Sequence, residues 1–171
     1  KNAKLLVCTN GTIFSPEMAK AFYDNYVHVT ISHDGLAQGA FRGQKELVER
    51  NIAKYQQILL PEKIAARMTF MKSNIKDLYE SVVYIYEKLG IYSISHAPAM
   101  DNTWTLADCY LYGEQLNKVA QYKKSHPALN YYACDQKKLV SLKRVNTKTC
   151  GAGNLIVAVD AEGGLFPCHR L

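Results

Sequence analysis

Residues 64–96 read IAARMTFMKSNIKDLYESVVYIYEKLGIYSISH, and their pattern determines the fold. The apolar run Ile64–Phe70 predicts one strand, and the run Ile91–His96 predicts another. Between the two runs, apolar residues recur at the spacing of a helix face, at Leu78, Val82, Ile85 and Leu89. Asn74 with Asp77 three residues later resembles a capping arrangement at the start of that helix. Strand, helix and strand in this order are typical of a βαβ unit, whose two strands run parallel.

The same alternation occurs earlier in the chain. Lys4–Cys8 and Val27–Ser32 predict two further strands, and Ser15 followed by proline is typical of a helix start between them. Amphipathic segments follow the second and fourth strands. We therefore predict an α/β fold with four parallel strands. That number is too small to close an eight-stranded barrel, but it is enough for half of one or for a small open sheet.

The bulk composition is that of a folded globular chain, with 48% hydrophobic and 21% charged residues. The formal net charge is +6, but the lysines and arginines are scattered, which favours a solvated surface over a nucleic-acid site. No segment has the roughly 20 apolar residues of a membrane span, and no signal-peptide pattern opens the sequence. Five widely spaced cysteines do not resemble a disulfide framework, so a reducing, cytoplasmic setting is predicted.

After residue 131 the pattern changes to short apolar runs separated by glycines. Asn154–Asp160 and Leu165–Pro167 predict a β-hairpin, and Cys150 and Cys168 flank it. Because a hairpin brings its two ends together, both thiols would face one point in space. Two such thiolates are half of a four-ligand site for an iron–sulfur cluster or zinc. The alternative is that they are two free, partly buried cysteines.

The segment 149–171 resembles the opening of SPASM, an auxiliary-cluster domain that extends radical S-adenosylmethionine (radical SAM) peptide maturases. It contains Cys-Gly-Ala-Gly from Cys150, twelve residues separate Cys150 from Gly163, and four residues separate Gly163 from Cys168. Three upstream segments resemble the middle of a radical SAM barrel in order and spacing: TNGT (9–12), ISHDG (31–35) and ARMT (66–69). The resemblance implies three regions: a partial barrel with strands three to six (1–131), a linker (132–148) and the start of a SPASM domain (149–171).

The resemblance also implies where the cofactor S-adenosylmethionine is bound. In parallel α/β folds, ligands bind at the carboxyl ends of the strands. Ser32 matches the serine that hydrogen-bonds the cofactor, and Arg67 is a candidate for binding its carboxylate, because a guanidinium offers a bidentate fork. Asn10 and Asp34, which also follow strand ends, complete the implied cofactor site. The alternatives are an ordinary turn for Asp34 and an ordinary salt bridge for Arg67.

The implied metal groups are 4Fe-4S clusters, with Cys150 and Cys168 as ligands of an auxiliary cluster. The family binds its catalytic cluster through Cys-x3-Cys-x2-Cys, a motif that this sequence lacks. Neither end resembles a natural terminus, so we expect a piece of a longer protein that is inactive by itself. The implied partners are a peptide or protein substrate and an electron donor such as flavodoxin or ferredoxin.

The residue after Cys168 bears on the type of reaction. Sulfatase maturases of this family have an acidic base at that position, and here it is His169. This departure favours enzymes that crosslink peptides over enzymes that mature sulfatases. The roles open to His169 are a catalytic base, a substrate contact or a neighbour of the cluster.

Two other functions remain open from the residues alone. The first is a non-catalytic binding module whose hairpin is held together by zinc. The second is a basic nucleic-acid-binding domain, which would need a concentrated basic face.

A further expectation concerns assembly. If earlier barrel strands are missing, Lys4–Cys8 is an unprotected edge, which predicts pairing between copies of the chain.

Overall fold

The computed structural model of the chain describes residues 4–99, 103–134, 157–160 and 162–167. The chain divides into two compact units, Lys1–Asp135 and Gln136–Leu171. The described part of the first unit is an α/β sheet, and the described part of the second is a β-hairpin. The domain limits derived from the resemblance stay a prediction.

One sheet of five parallel strands lies at the centre of the first unit. In chain order and in spatial order the strands are β1 (Leu6–Thr9), β2 (His28–Ser32), β3 (Ile64–Phe70), β4 (Ser93–Pro98) and β5 (Asn130–Tyr131). The first four agree with the predicted strands to within a few residues, which confirms the parallel α/β architecture. The prediction lacks β5 because two residues are too few to produce a periodic pattern.

Five α-helices accompany the strands within the described residues. They are α1 (Pro16–Asp24), α2 (Gln38–Phe41), α3 (Lys45–Gln56), α4 (Leu78–Glu87) and α5 (Leu106–Ser125). The predicted start of α1 is confirmed, since Ser15 Oγ accepts the backbone N–H of Met18 at 3.1 Å. The start predicted at Asn74 is wrong. Its side chain accepts the backbone N–H of Met71 at 2.7 Å, and a 3-10 turn, Ile75–Asp77, precedes α4.

Burial alternates along the strands and makes the two faces of the sheet different. In β3, Ile64, Ala66, Met68 and Phe70 are buried, and the residues between them are only partly buried. The buried apolar residues of α1, α3, α4 and α5 belong to the same core as this face of the sheet. Because each fully buried large aliphatic side chain contributes about 1.5–3 kcal/mol, the helix-covered face supplies most of the stability of the first unit. The opposite face is more polar and more exposed.

Strand β1 is an outer strand of the sheet, with only β2 beside it among the described residues. Leu5 and Leu6 are more than half exposed there. An outer strand with exposed apolar side chains offers unpaired N–H and C=O groups to another strand. Pairing between copies of the chain remains a prediction.

The second unit contains a hairpin where the sequence predicts one. Strand β6 (Ala158–Val159) pairs antiparallel with β7 (Leu165–Phe166). Asp160 closes the turn, because its Oδ1 accepts the backbone N–H groups of Glu162 at 3.0 Å and Gly164 at 2.6 Å. Gly163 has a φ of 88°, a conformation that glycine adopts without strain. Cys150 and Cys168 lie outside the described residues.

Candidate functional site at the carboxyl edge of the sheet

Three of the predicted site residues lie together on the polar face of the sheet. Ser32 is the last residue of β2 and stands in register with Arg67 of β3. Thr9 is in register with Ile31, which places Asn10 level with Ser32 at the end of β1. Neighbours of Ser32 and Arg67 along the strands, such as Ile31 and Ala66, are buried on the other face. The alternation therefore brings Ser32, Arg67 and Asn10 to one face, with Ser32 and Asn10 at strand ends and Arg67 inside β3.

Arg67 places a positive charge on this face. Within the described residues its guanidinium has neither an ion pair nor a hydrogen bond, and the side chain is partly exposed. It stands between Ser32 on β2 and Ser95 on β4. A guanidinium flanked by hydroxyl groups fits a carboxylate, because its planar N–H groups bind both carboxylate oxygens at once.

Asn10 is held in a turn that leaves only part of its amide available. Its Oδ1 accepts the backbone N–H of Thr12 at 3.1 Å and the Thr12 hydroxyl at 2.8 Å. The side-chain NH₂ has no partner within the described residues. Asn10 can therefore donate to a ligand at the carboxyl edge, whereas its carbonyl oxygen is already used.

Asp34 has a different surrounding from the other predicted residues. Its side chain is 4% exposed, and both of its oxygens accept hydrogen bonds from inside the chain. Oδ1 accepts the backbone N–H of Thr69 at 2.7 Å, and Oδ2 accepts Nε–H of Arg42 at 2.6 Å. In addition, the backbone N–H of Asp34 donates to Gln38 Oε1 at 2.9 Å. The carboxylate thus ties the loop after β2 to the end of β3.

His33 anchors the same loop on the helix-covered side. The side chain is fully buried, and Nδ1 accepts the backbone N–H of Gly35 at 3.1 Å, which assigns the proton to Nε2. Nε2 lies 3.4 Å from Glu49 Oε1 but makes no hydrogen bond within the described residues. Burial lowers the pKa of His33, against the opposing effect of Glu49 and Asp34. His33 is therefore a neutral packing residue rather than a ligand-binding one.

Gly35 lets this loop lie directly against α4. Its φ is 63°, and a Cβ at this position would lie 2.3 Å from Ser81 Cβ and 2.7 Å from Ser81 Cα. The next residue, Leu36, donates its backbone N–H to Ser81 Oγ at 3.2 Å. Only glycine permits both the positive φ and this close approach.

His96 lies in an aromatic cluster on the helix-covered face of the sheet and not on the polar face. Its Nε2 is 2.7 Å from the Tyr112 hydroxyl, and its Nδ1 is 2.6 Å from the Tyr131 hydroxyl. Burial lowers the pKa of His96 from 6.5 to about 4. In the neutral ring one nitrogen donates and the other accepts, so the two tyrosines use both nitrogens.

The lowered pKa of His96 predicts a dependence of stability on pH. The unfolded chain takes up the proton near pH 6.5, whereas the folded chain takes it up near pH 4, so the free energy of unfolding falls as the pH drops between these values. The expected loss attributable to His96 is on the order of 2 kcal/mol. Urea unfolding at pH 7 and pH 4.5 measures it. The variant His96→Gln should lose part of this dependence, and an identical pH dependence in both proteins would contradict the assignment.

Within the described residues there is no cluster of three or more histidine, cysteine or acidic side chains that could hold a metal ion. Cys8, Cys109 and Cys134 are free. The predicted ligands Cys150 and Cys168 and the predicted catalytic residue His169 lie outside the described residues. The cluster site thus remains a prediction from the sequence.

Arg42 is not among the residues predicted from the sequence, and it reaches the polar face from the segment after β2. Its Nη2 donates to Thr69 Oγ1 at 3.1 Å while Nε donates to Asp34. No local pattern marks this residue, because its position depends on how the loop folds back onto β3. The only signal in the sequence is the run of glycines at 35, 39 and 43, which indicates a tightly turned loop.

The described fold is an α/β fold whose five parallel strands match part of the barrel of solved structures, with a separate two-stranded hairpin. The solved structures that resemble it include native anSMEcpe, an anaerobic sulfatase maturase, with bound AdoMet, at a TM-score of 0.72 and 14% sequence identity. A second, native anSMEcpe with bound AdoMet and Cp18Cys peptide, has a TM-score of 0.66 and 14% identity. The alignments cover 96% and 98% of this chain, and 50% and 52% of the respective solved chains.

This chain therefore spans about half the length of the solved structures that it resembles. At 14% identity the similarity shows the fold alone. No protein-family model matches the sequence, and no curated protein does. Among the described helices, none has the length and apolar character needed to cross a membrane.

Proposed function

We propose that this chain is part of a radical SAM enzyme with a SPASM domain, whose complete gene product cleaves S-adenosylmethionine reductively and modifies a peptide or protein. The observation that carries the proposal is Arg67, which has no ion pair among the described residues and lies beside Ser32 on the polar face of a parallel sheet. The fold similarity to AdoMet-bound structures supports it. Ligands of parallel α/β proteins bind at this end of the strands.

The described residues fit the carboxylate and the polar groups of the cofactor. The guanidinium of Arg67 would bind the carboxylate of S-adenosylmethionine, and Ser32 and Asn10 would hydrogen-bond its polar groups. Asp34 would act differently, because its oxygens are already occupied by Thr69 and Arg42. We assign to Asp34 the role of fixing the loop beside the cofactor.

The iron–sulfur clusters would supply the electron that splits the cofactor into a carbon radical and methionine. Cys150 and Cys168 would provide two ligands of an auxiliary cluster, within a SPASM segment that begins near residue 149. Because the sequence contains no Cys-x3-Cys-x2-Cys motif, we assign the reductive step to the complete gene product. A flavodoxin or ferredoxin would deliver the electron in a reducing cytoplasm.

The proposed substrate is a peptide, and crosslinking is favoured over sulfatase maturation. The support is His169, which stands directly after Cys168 where sulfatase maturases have an acidic base. His169 would serve as a base, contact the substrate or lie beside the cluster. The similar solved structures are sulfatase maturases, and their low identity leaves the substrate type open to experiment.

The test uses the complete gene product, reconstituted anaerobically with iron and sulfide and supplied with S-adenosylmethionine and dithionite. We expect iron, acid-labile sulfide and formation of 5′-deoxyadenosine. A cluster-loaded protein that forms no 5′-deoxyadenosine would refute the enzyme assignment. Stoichiometric zinc in a colourless protein would instead support the binding module.

The role proposed for Arg67 predicts the effect of a conservative substitution. Arg67→Lys keeps the charge but loses the bidentate fork, so the affinity for S-adenosylmethionine is expected to fall at least tenfold, equivalent to about 1.4 kcal/mol. Isothermal titration of the anaerobic, cluster-loaded protein measures this affinity. The matched control is Arg50→Lys, at an exposed position of α3, which should leave it unchanged. Equal affinities of Arg67→Lys and the control would exclude Arg67 from the cofactor site.

A further inference from the structure

We propose that Arg42 binds a carboxylate of the peptide substrate, and that Asp34 and Thr69 hold its guanidinium in position for this contact. The inference rests on the proposed function. It assigns to the site a second arginine, distinct from the one proposed for the cofactor. The ligand chemistry is the side-chain carboxylate of an acidic residue in the peptide.

The position of Arg42 follows from its contact with β3. Its Nη2 donates to the hydroxyl of Thr69, which lies two residues after Arg67 on the same face of the strand. Two residues of a strand span about 7 Å, so Arg42 reaches the polar face just beyond Arg67 in the direction of the carboxyl edge. Arg67 lies within the sheet and Arg42 at its rim.

The guanidinium of Arg42 is held rather than free to swing. Asp34 binds Nε at 2.6 Å, and this carboxylate is itself 4% exposed and fixed by the backbone of Thr69. The chain after Arg42 turns sharply, since Gly43 and Gln44 both have positive φ, 69° and 49°. A left-handed conformation is strained for glutamine, and such strain is often found at functional sites. The ion pair with Asp34 and the hydrogen bond to Thr69 together hold the side chain in place.

Arg42 keeps donors for a ligand after these contacts. A guanidinium has five N–H donors, and within the described residues only Nε and one N–H of Nη2 have acceptors. The side chain is 32% exposed, so the remaining donors can reach a ligand. A partly exposed guanidinium with free planar N–H groups is suited to a carboxylate.

The charges of the edge favour an anion and distinguish the two arginines. Asp34 offsets the charge of Arg42, and Lys45, the first residue of α3, lies 4.0 Å from Glu49. The uncompensated charge is that of Arg67, whereas Arg42 offers a carboxylate its remaining N–H donors rather than a net charge. S-adenosylmethionine has a single carboxylate, which Arg67 would bind deeper on the sheet. The outer arginine is left for the substrate.

The experiment measures binding of two labelled heptapeptides to the complete, cluster-loaded gene product by fluorescence anisotropy, with S-adenosylmethionine present. One peptide alternates glycine with glutamate, and the other has glutamine in place of glutamate. We expect the glutamate peptide to bind at least tenfold more tightly. Arg42→Gln should abolish the preference without changing the affinity for S-adenosylmethionine, and Arg67→Gln should do the reverse. Thermal unfolding of each variant verifies that it is folded.

Three outcomes would overturn the inference. These are equal binding of the two peptides by the unsubstituted protein, a preference that survives Arg42→Gln in a folded variant, and a loss of S-adenosylmethionine affinity in Arg42→Gln as large as in Arg67→Gln. The last result would make Arg42 a cofactor contact. If the unsubstituted protein binds no S-adenosylmethionine at all, the proposed function fails, whereas a peptide preference that depends on Arg42 would still stand.

Discussion

Replacing Gly35 with alanine is expected to destabilise the first unit by about 3 kcal/mol or more. The added Cβ would lie 2.3 Å from Ser81 Cβ, and α4 cannot move away without disturbing the core beneath it. Overpacking of this kind costs about 1–3 kcal/mol, and the left-handed conformation costs an L-residue about 1–2 kcal/mol more. The free energy of unfolding in urea, followed by circular dichroism, measures the loss.

Gly43→Ala is the matched control for this experiment. Gly43 has a φ of 69°, similar to the 63° of Gly35, but no atom lies within 4 Å of the position that its Cβ would occupy. Alanine at this position should cost only the conformational strain, about 1 kcal/mol. If the two variants are equally destabilised, the close packing of the loop against Ser81 contributes nothing and the geometry described for the loop is wrong.

Replacing Asp34 with alanine is the second substitution with a large expected effect. It removes the acceptor of the Thr69 backbone N–H and of Arg42 Nε at the same time. The orphaned N–H costs about 1–3 kcal/mol, and the lost charge-assisted hydrogen bond adds to it. Because Arg42 is 32% exposed and can turn to water, we expect a total of about 2–4 kcal/mol rather than the cost of a fully buried charge.

The control for Asp34→Ala is a substitution in an exposed ion pair whose N···O distance is similar. Asp24 lies 2.7 Å from Lys20 in α1, and both side chains are about half exposed or more. Asp24→Ala should cost no more than about 0.5 kcal/mol, since water screens such pairs. Asp34→Asn, which keeps one acceptor oxygen, should lie between the two alanine variants. A loss at Asp34 no larger than that at Asp24 would show that the carboxylate does not join the two strand ends.

The parallel architecture could be predicted from the sequence because burial imposes a period on it. β3 is the clearest case, since its predicted and observed limits coincide and every second residue is buried. The hairpin could also be predicted, because its turn depends on two local features: the positive φ of Gly163 and the hydrogen bonds that the Asp160 side chain accepts from the backbone. Strand β5 could not, because its two residues are held by pairing with β4 and not by a local preference.

The residues of the site that lie in or directly after strands could be predicted from the sequence, but the contacts of the loop could not. The alternation of β2 and β3 is enough to place Ser32 and Arg67 side by side once the register is known. The role of Asp34 depends on Arg42, eight residues away, and on Thr69, which belongs to another strand. Such contacts arise from the path of a loop through space. Residue types and their spacing along the chain do not predict that path.

The parallel pairing of all five strands has a consequence for how the first unit forms during synthesis. Each strand must wait for a helical crossover to be made before it meets its neighbour, so no pair in this sheet closes locally as a hairpin would. The entropy of closing these long connections is lost before any pairing compensates for it, which makes such topologies slow to assemble. The nascent chain therefore exposes apolar strands at the ribosome for an extended time, when chaperones and neighbouring nascent chains compete for them.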